Sequence, residues 1–258
     1  KLAALEGRAR VFHQDNKGPS AARNKGIRMA RAEILFMLDC DDMVEPEFLA
    51  DTVPLLQAAP SEVGMVVTHL RLIGAETGIV RRYFNRFDLL FTNTLSVGLV
   101  LRKRCWSAVG GYDETMRDGY EDWDFSLRLM SAGYRGLEVA KPLYIYSIGD
   151  AEKQPTRSSD VDQKRLYGRL WREIRDRHGV VYRPQTVLRL WWQTRDGSGR
   201  IPLWKGMAAL ALARVLPDAV FNRLIARLHR GHRADKASPP AAGQPPGGGL
   251  SHNALLSA

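Results

Sequence analysis

The sequence is poor in cysteine and has no long apolar run. Its 258 residues include two cysteines, Cys40 and Cys105, and neither lies near a C-x-x-C pair or a Cys/His cluster. Two isolated cysteines exclude a disulfide framework and favour reduced thiols in a cytoplasmic setting. The uninterrupted apolar stretch 206–213 is far short of the ~20 residues that span a bilayer, so it does not predict a membrane span.

Acidic residues are scarce in the last part of the chain. The net charge is +10; residues 1–150 hold 19 Lys/Arg and 20 Asp/Glu, whereas residues 151–258 hold 19 and 8. A basic appendage on a neutral domain suggests an anionic partner surface, and a solvated face without a partner is the alternative. No nucleic-acid-binding motif is recognisable, and the tryptophans of this region are not interleaved as a stacking platform, so we expect no nucleic acid partner.

Composition divides the chain into three parts. Residues 1–150 alternate predicted strands and helices, which indicates an α/β layered domain. Residues 151–233 form Arg-rich helical segments, and residues 234–258 are rich in Pro, Gly, Ser and Ala, so we expect them to be disordered. The predicted strands cover 33–38, 63–73, 96–101 and 136–148; the predicted helices cover 19–31, 46–58 with a possible kink at Pro54, and 121–132, closed by Gly133.

Three carboxylates, Asp39, Asp41 and Asp42, follow the apolar run 34–38. Acids at the carboxyl end of a strand lie where open α/β sheets bind ligands. Their oxygens suit hard cations such as Mg²⁺ or Mn²⁺, which are commonly held by one or two carboxylates plus substrate phosphates. The pattern therefore predicts a cation site that also holds a phosphorylated substrate.

Three metal-binding interpretations compete for this cluster. An EF-hand loop starting at Asp39 is excluded, because Val44 and Ala50 stand where glycine and glutamate are required. A phosphatase of the haloacid dehalogenase type would use Asp39 as nucleophile and Asp41 as acid/base, but its later acidic pair has no convincing match. A nucleotide-sugar transferase is the third interpretation, and the flanking sequence favours it.

Motifs on both sides of the acids resemble the family 2 glycosyltransferases of GT-A fold, over about residues 10–148. They occur in the family's order: Asn16-x-Gly18, Ala22-Arg23-Asn24-x-Gly26, Leu38-Asp39-x-Asp41-Asp42, Gly110-Gly111-Tyr112-Asp113, and Glu121-Asp122-Trp123 leading to Leu127-Arg128-Leu129 and Gly133. The resemblance implies a Rossmann-like layered mixed sheet flanked by helices, with the basic helical extension behind it. It also implies transfer of a sugar from a nucleoside diphosphate donor to an acceptor hydroxyl, with inversion.

On the donor side, the resemblance implies a divalent cation, Mg²⁺ or Mn²⁺, that bridges the pyrophosphate and stabilises the leaving charge. We assign Asp41 as the direct metal ligand. Asp39 is expected to reach the donor ribose or a metal-bound water, and so to belong to both the donor site and the metal site. Asp42 is expected to be a secondary acid of the donor site. Arg23 could contact the donor diphosphate or pair with local acids, since arginine suits both roles.

On the acceptor side, the reaction needs a base close to the attacking hydroxyl. Asp122 is the candidate carried over from the family's Glu-Asp motif, with Glu121 as the fallback; the alternative is that both acids only favour the helix dipole. Asp124 is expected to pair with Arg128 four residues on. Trp123 either stacks on an acceptor ring or is a half-buried helix residue.

Gly18 and Gly26 are expected to serve the backbone, one through a close approach and the other as a helix-packing position.

The sequence departs from the family pattern in two places. Nothing before Lys1 supplies the usual first strand and helix of the nucleobase pocket, so the nucleobase-binding segment is expected to be missing. Relatives often carry a histidine after the last strand, but none occurs between Ser147 and Arg177, and Asp150 is an untested substitute.

The C-terminal extension admits two interpretations. Residues 203–233 contain two helical stretches separated by Pro217; the second is amphipathic and basic, and can lie in a membrane interface or pack on the catalytic domain or a partner. In the membrane interpretation the protein lies at the inner face of the cytoplasmic membrane. Its contacts there are Arg214, Arg223, Arg227, Arg230, Phe221 and Leu224.

The sequence thus predicts a metal-dependent, inverting glycosyltransferase that builds polysaccharide, glycan or glycolipid. Its expected partners are a nucleotide-sugar donor and a glycan or lipid-linked acceptor. Two alternatives stay open: the phosphatase that uses Asp39, and a degenerate transferase domain that acts as a non-catalytic binding module.

Overall fold

A computed structural model describes residues 9–95, 98–117, 119–149, 160–194, 199–217 and 220–221, with the backbone alone for 160–167. The elements in chain order are α1 (Gly18–Met29), β1 (Ile34–Phe36), β2 (Met43–Val44), α2 (Phe48–Ala58), β3 (Val63–Gly74), β4 (Gly78–Val80), β5 (Val100–Arg102), α3 (Lys103–Ala108), α4 (Glu121–Ser131), β6 (Arg135–Ile148), α5 (Asp160–Arg177), α6 (Pro184–Gln193) and α7 (Leu203–Val215). A 3₁₀ turn, Asp88–Leu90, lies between β4 and β5.

The six strands form one mixed sheet. Its order is β1-β5-β3-β6-β2, and β4 pairs with the outer part of β3. The two long strands, β3 and β6, are parallel, while the other pairs are antiparallel. The predicted α/β class is confirmed: this is a mixed sheet flanked by helices.

Both faces of the sheet are covered, and β3 shows why. Its side chains alternate between two clusters: Met65 and Val67 join the larger core, while Val66 and Leu70 pack with Phe48 of α2 on the other face. Successive strand residues point to opposite faces, so a strand covered on both sides reads as the nearly continuous apolar run seen in the sequence.

Local signals fix the ends of two helices that carry site residues. Gly18 starts α1 with φ of 87°, and its N–H donates to Oδ1 of Asn16 at 3.1 Å, which explains the Asn16-x-Gly18 motif as a turn. Gly133 ends α4 with φ of 91°, and the following residue, Tyr134, donates its N–H to the Leu129 carbonyl. This is the Schellman arrangement, so the predicted closure by Gly133 is confirmed.

The helices after β6 pack on the same core as the sheet. Trp171 of α5 and Tyr182 both donate to the carbonyl of Leu90, at 3.0 and 2.6 Å. The buried carboxylate of Asp88 accepts the backbone N–H of Arg200 and Ile201, at 2.6 and 3.1 Å. The 3₁₀ turn is therefore the attachment point of the C-terminal helices.

The position of Phe221 contradicts its predicted role as a membrane contact. The membrane interpretation places it against lipid, but its side chain is 0% exposed and packs on Trp171, with ring centroids 5.5 Å apart. The guanidinium of Arg172 also lies over the Phe221 ring, 4.4 Å from its centroid. In the described part of the chain, no helix is both long and apolar enough to cross a membrane. The other predicted membrane contacts, except Arg214, lie outside the described residues, as do Asp150 and the tail 234–258.

Candidate active site

The acidic cluster lies in the loop that follows β1. The backbone turns tightly there, because the N–H of Asp42 donates to the carbonyl of Asp39 at 3.1 Å. The turn separates the three acids by environment: Asp41 is exposed, the Asp39 side chain is 36% exposed, and Asp42 is buried. Only the first two carboxylates are therefore open to a ligand from solvent.

Asp42 is committed to contacts within the protein. Its oxygens accept the hydroxyl of Tyr144 at 2.7 Å and the N–H of Ser147 at 2.9 Å. Burial raises the pKa of this carboxyl, and the two hydrogen bonds oppose that rise. These contacts tie the acidic loop to β6; the predicted donor contact of Asp42 remains a prediction.

Arg23 connects the acidic loop with the first turn of α4. Its Nη1 lies 2.6 Å from Oε1 of Glu121, and its Nη2 lies 3.2 Å from Oδ1 of Asp39. Burial works to lower the pKa of Arg23, but the two carboxylates outweigh it and the net shift is upward. Of the two roles predicted for Arg23, the structure shows the pairing with local acids.

Glu121 and Asp122 begin α4, and the residue before them is strained. Tyr120 has φ of 61°, the one positive φ among the described non-glycine residues. Such left-handed residues cost about 1–3 kcal/mol and are concentrated at functional sites. The turn aims the two acids apart: Glu121 contacts Arg23, whereas Asp122 accepts an N–H of Asn93 at 3.0 Å.

The environment of Asp122 raises its pKa. Burial is the main cause and the neighbouring charge of Glu121 is the second, while the hydrogen bond from Asn93 and the cations Arg23 and Arg82 act in the opposite direction. A carboxylate whose pKa lies above the ordinary range is a better proton acceptor near neutral pH. The surroundings thus suit the predicted base.

A cleft of about 510 Å³ opens between α1 and the segment from β1 to the acidic loop. Its walls include Arg23, Asp39 and Gly26, and its size is in the range of small-molecule sites. The predicted packing role of Gly26 is wrong, because a Cβ at this position would meet no atom within 4 Å. Gly18 likewise has no close approach, but its positive φ gives it the predicted backbone role.

The carboxylate oxygens of the loop suit a divalent cation whose coordination shell is completed by oxygens of the substrate. Asp39 and Asp41 offer carboxylate oxygens, the ligands that Mg²⁺ and Mn²⁺ prefer. Within the described ranges, no group of three or more His, Cys, Asp or Glu side chains forms a ready metal site. Two solvent-accessible carboxylates with phosphate and water ligands fit the way such ions usually bind with nucleotides.

Two further predicted side chains have structural roles. Asp124 pairs with Arg128 at 2.7 Å, as the i,i+4 spacing predicts, and it also lies 2.8 Å from Nε2 of His178. Trp123 is 0% exposed and donates to the carbonyl of Leu89 at 2.7 Å. Of the two interpretations given for it, the structure supports the helix residue, which is fully rather than half buried, and not the residue that stacks on an acceptor ring.

Asn24 belongs to the Ala22-Arg23-Asn24-x-Gly26 motif and holds two parts of the site together. Its amide donates to the carbonyl of Tyr112 at 2.8 Å and its Oδ1 accepts the N–H of the same residue at 2.8 Å. At Gly111, φ is 80° and a Cβ would lie 2.7 Å from that Oδ1. Asn24 thus fixes α1 to the Gly-Gly-Tyr turn and holds Arg23 beside the acids.

Comparison with known proteins gives a family match. Residues 1–105 match the model of glycosyl transferase family 2. The putative glycosyltransferase EpsH of Bacillus subtilis is 36% identical over 78 residues, 30% of this chain and 22% of EpsH. The succinoglycan biosynthesis protein ExoU of Rhizobium meliloti is 29% identical over 191 residues, 64% of this chain and 54% of ExoU. The chain thus aligns with about a fifth to a half of these relatives.

The fold has solved counterparts. The structure of S. aureus TarS 1–349 in complex with UDP-GlcNAc superposes with a TM-score of 0.56 at 13% identity, over 89% of this chain and 78% of that one. The same protein in complex with UDP gives a TM-score of 0.52. The curled mixed sheet with flanking helices is the GT-A arrangement. Residues 1–105 are thus similar to glycosyl transferase family 2, and the described fold is that of the GT-A glycosyltransferase structures.

Proposed function

We propose that this protein transfers a sugar from a nucleoside diphosphate donor to an acceptor hydroxyl, with inversion at the anomeric carbon. The observation that carries the proposal is the contact of Arg23 with both Asp39 and Glu121. This contact places in one site the acids that would hold a cation on the donor phosphates and the acids that would face the acceptor hydroxyl. TarS, solved with UDP-GlcNAc and with UDP, supports a nucleotide sugar as donor.

The donor side uses the acidic loop and the cleft. Asp41 would hold Mg²⁺ or Mn²⁺, and Asp39 would contact the donor ribose or a water ligand of the ion. When bound, the ion stabilises the charge of the departing diphosphate. Arg23 already neutralises part of the charge of Asp39, and Asp41 would supply a second carboxylate to the cation.

The acceptor side uses Asp122. Its carboxylate removes the proton of the acceptor hydroxyl as that oxygen forms a bond to the anomeric carbon. The bond from the anomeric carbon to the diphosphate oxygen breaks in the same step, and the diphosphate leaves with the electron pair. A single displacement inverts the anomeric configuration. Glu121, held by Arg23 at 2.6 Å, is occupied and leaves Asp122 as the base.

The acceptor class follows from the relatives and the basic C-terminal part. ExoU is a succinoglycan biosynthesis protein, which supports a role in making polysaccharide, glycan or glycolipid. Arg214 is exposed at the end of α7, and it leads into the Arg-rich segment 220–233. These cations would hold the protein at an anionic membrane face, where a lipid-linked acceptor is available.

The test is turnover by the protein at its full natural length. It is incubated with a panel of nucleotide sugars, Mg²⁺ or Mn²⁺, and glycan or lipid-linked acceptors, and nucleoside diphosphate release and product anomers are followed by NMR. The proposal predicts metal-stimulated release that depends on acceptor and a product of inverted configuration. A covalent phosphate on Asp39 without sugar transfer would replace it with a phosphatase. Donor-independent lipid binding alone would replace it with a non-catalytic binding module.

A further inference from the structure

Three residues far apart in the sequence form a chain of hydrogen bonds that ends on Asp122. Nη1 of Arg82 donates to the backbone carbonyl of Asn93 at 2.9 Å. The side-chain amide of Asn93 then donates to Oδ2 of Asp122 at 3.0 Å. Arg82 follows β4 and Asn93 lies between the 3₁₀ turn and β5, so tertiary folding alone brings them to α4.

These hydrogen bonds fix the orientation of the Asp122 carboxylate. Its other oxygen, Oδ1, accepts the backbone N–H of Trp123 at 2.8 Å. With one donor on each oxygen, rotation of the carboxylate about its last bond breaks at least one hydrogen bond. A base must meet its proton at hydrogen-bond distance, so a fixed orientation contributes directly to its function.

The charged and titratable groups around Asp122 come from several elements. Glu121 lies on the same helix, Tyr120 before it, Tyr112 in the Gly-Gly-Tyr turn and Arg23 on α1; Arg82 approaches from the loop after β4. Burial and Glu121 favour the protonated acid, whereas Asn93, Arg23 and Arg82 favour the carboxylate. Arg23 is shared between Asp39 and Glu121, whereas the Asn93 amide donates directly to Asp122.

The buried position of Arg82 is energetically unfavourable. Its Nε is buried and finds no hydrogen-bond acceptor among the described residues. An unsatisfied buried N–H is unfavourable for stability. Its guanidinium nevertheless holds the Asn93 backbone and contributes positive charge toward Asp122. Such a placement fits a residue that serves the site rather than the core.

We propose that Asn93, held in place by Arg82, is a positioning residue that orients the Asp122 carboxylate and keeps it ionised. The catalytic part of this inference rests on the proposed function, in which Asp122 is the base. Removal of the Asn93 amide takes a donor from the charged form, so the pKa of Asp122 rises. Because a base acts when deprotonated, the acid limb of the kcat/KM profile then moves to higher pH.

Two measurements on the full-length protein test the proposal. The first is the NMR titration of the Asp122 carboxyl carbon, assigned by its loss in Asp122→Asn; the second is the pH dependence of kcat/KM. In Asn93→Ala we expect both midpoints to rise by about one pH unit, with a smaller rise in Arg82→Gln. Arg81→Gln is the matched control, since Arg81 is exposed and pairs with Glu138; its midpoints should not move.

The outcomes separate this inference from the proposed function. An unchanged Asp122 titration in folded Asn93→Ala overturns the inference even if the enzyme is active. A raised titration midpoint in a protein that transfers no sugar supports the positioning and removes the proposed function. If Asn93→Ala does not fold, Arg82→Gln decides: an Asp122 midpoint equal to that of Arg81→Gln overturns the inference, and a raised midpoint supports it.

Discussion

Nη1 of Arg23 lies 2.6 Å from Oε1 of Glu121, and this ion pair joins α1 to the first turn of α4. The same guanidinium reaches Asp39 at 3.2 Å. Only 13% of the Arg23 side chain is exposed, so its loss would leave two partly buried carboxylates without a cation. The site is therefore assembled around one arginine.

Arg23→Gln should destabilise the fold, because breaking a buried ion pair by removing one partner costs about 3–5 kcal/mol. Since the Asp39 side chain is 36% exposed, the lower end of that range is expected. Urea denaturation measures the change. Arg28→Gln on the same helix is the control, because Arg28 is 55% exposed and lies 3.9 Å from Glu114; its effect should stay within about 0.5 kcal/mol. Equal effects of the two variants would contradict the bridging role of Arg23.

Asp41 and Asp42 should respond in opposite ways. Asp41→Asn is expected to weaken metal-dependent donor binding roughly tenfold or more, since a lost charge-assisted contact costs about 1.5–3 kcal/mol. Its stability should be unchanged, because the side chain is exposed. Asp42→Ala should instead lower the free energy of unfolding by on the order of 2 kcal/mol, because it removes the contacts with Tyr144 and Ser147.

Calorimetric titration with nucleotide sugar and Mn²⁺, together with urea denaturation, separates these effects. A stable Asp42→Ala variant that no longer binds donor would restore the donor role predicted from the sequence.

The acidic loop and the α4 acids could be predicted from the sequence, because each stands next to a local signal: a buried strand or a helix start. The longer elements α1, α2, β3, α4 and β6 could be predicted for the same reason, whereas the short elements β2, β4 and α3 were not predicted. The sequence did not reveal Asn93 or Arg82, since both lie in irregular segments and reach Asp122 only through tertiary folding. Trp123 was ambiguous because its burial depends on Leu89, which lies 34 residues away.

For the C-terminal helices, too, the sequence alone could not predict which surface they contact. Amphipathic spacing places Phe221 on an apolar face, but the spacing alone does not tell whether lipid or protein covers that face. The structure shows protein: the ring is fully buried on Trp171.

Phe221→Ala should therefore cost about 3–5 kcal/mol of unfolding free energy, the usual range for a buried phenylalanine. Its neighbour Val220 is 49% exposed, so Val220→Ala should change stability by less than about 1 kcal/mol. Thermal and urea unfolding of the two variants give the comparison. Equal, small effects would mean that Phe221 does not contribute to the core.

Membrane contact is better tested by charge than by truncation, because deletion of 203–233 also removes core residues such as Ala209 and Phe221. We expect replacement of Arg214, Arg223, Arg227 and Arg230 by Glu to weaken binding to anionic vesicles at least tenfold, since each basic residue near the surface contributes about 1 kcal/mol. Wild-type binding should weaken with salt, and neutral vesicles should bind little. Undiminished sedimentation of the variant with anionic vesicles would place the contact elsewhere.

The most direct test of the central claim is single-turnover sugar transfer by Asp122→Asn, measured beside donor affinity. Asp122 is assigned as the base, and its pKa is raised by burial and by Glu121. Donor binding should stay nearly intact, while the rate of transfer falls by about 10²–10⁴-fold, the usual loss for a general base. Full transfer by Asp122→Asn, together with loss of transfer in Glu121→Gln, would contradict the account and assign the reaction to the other carboxylate.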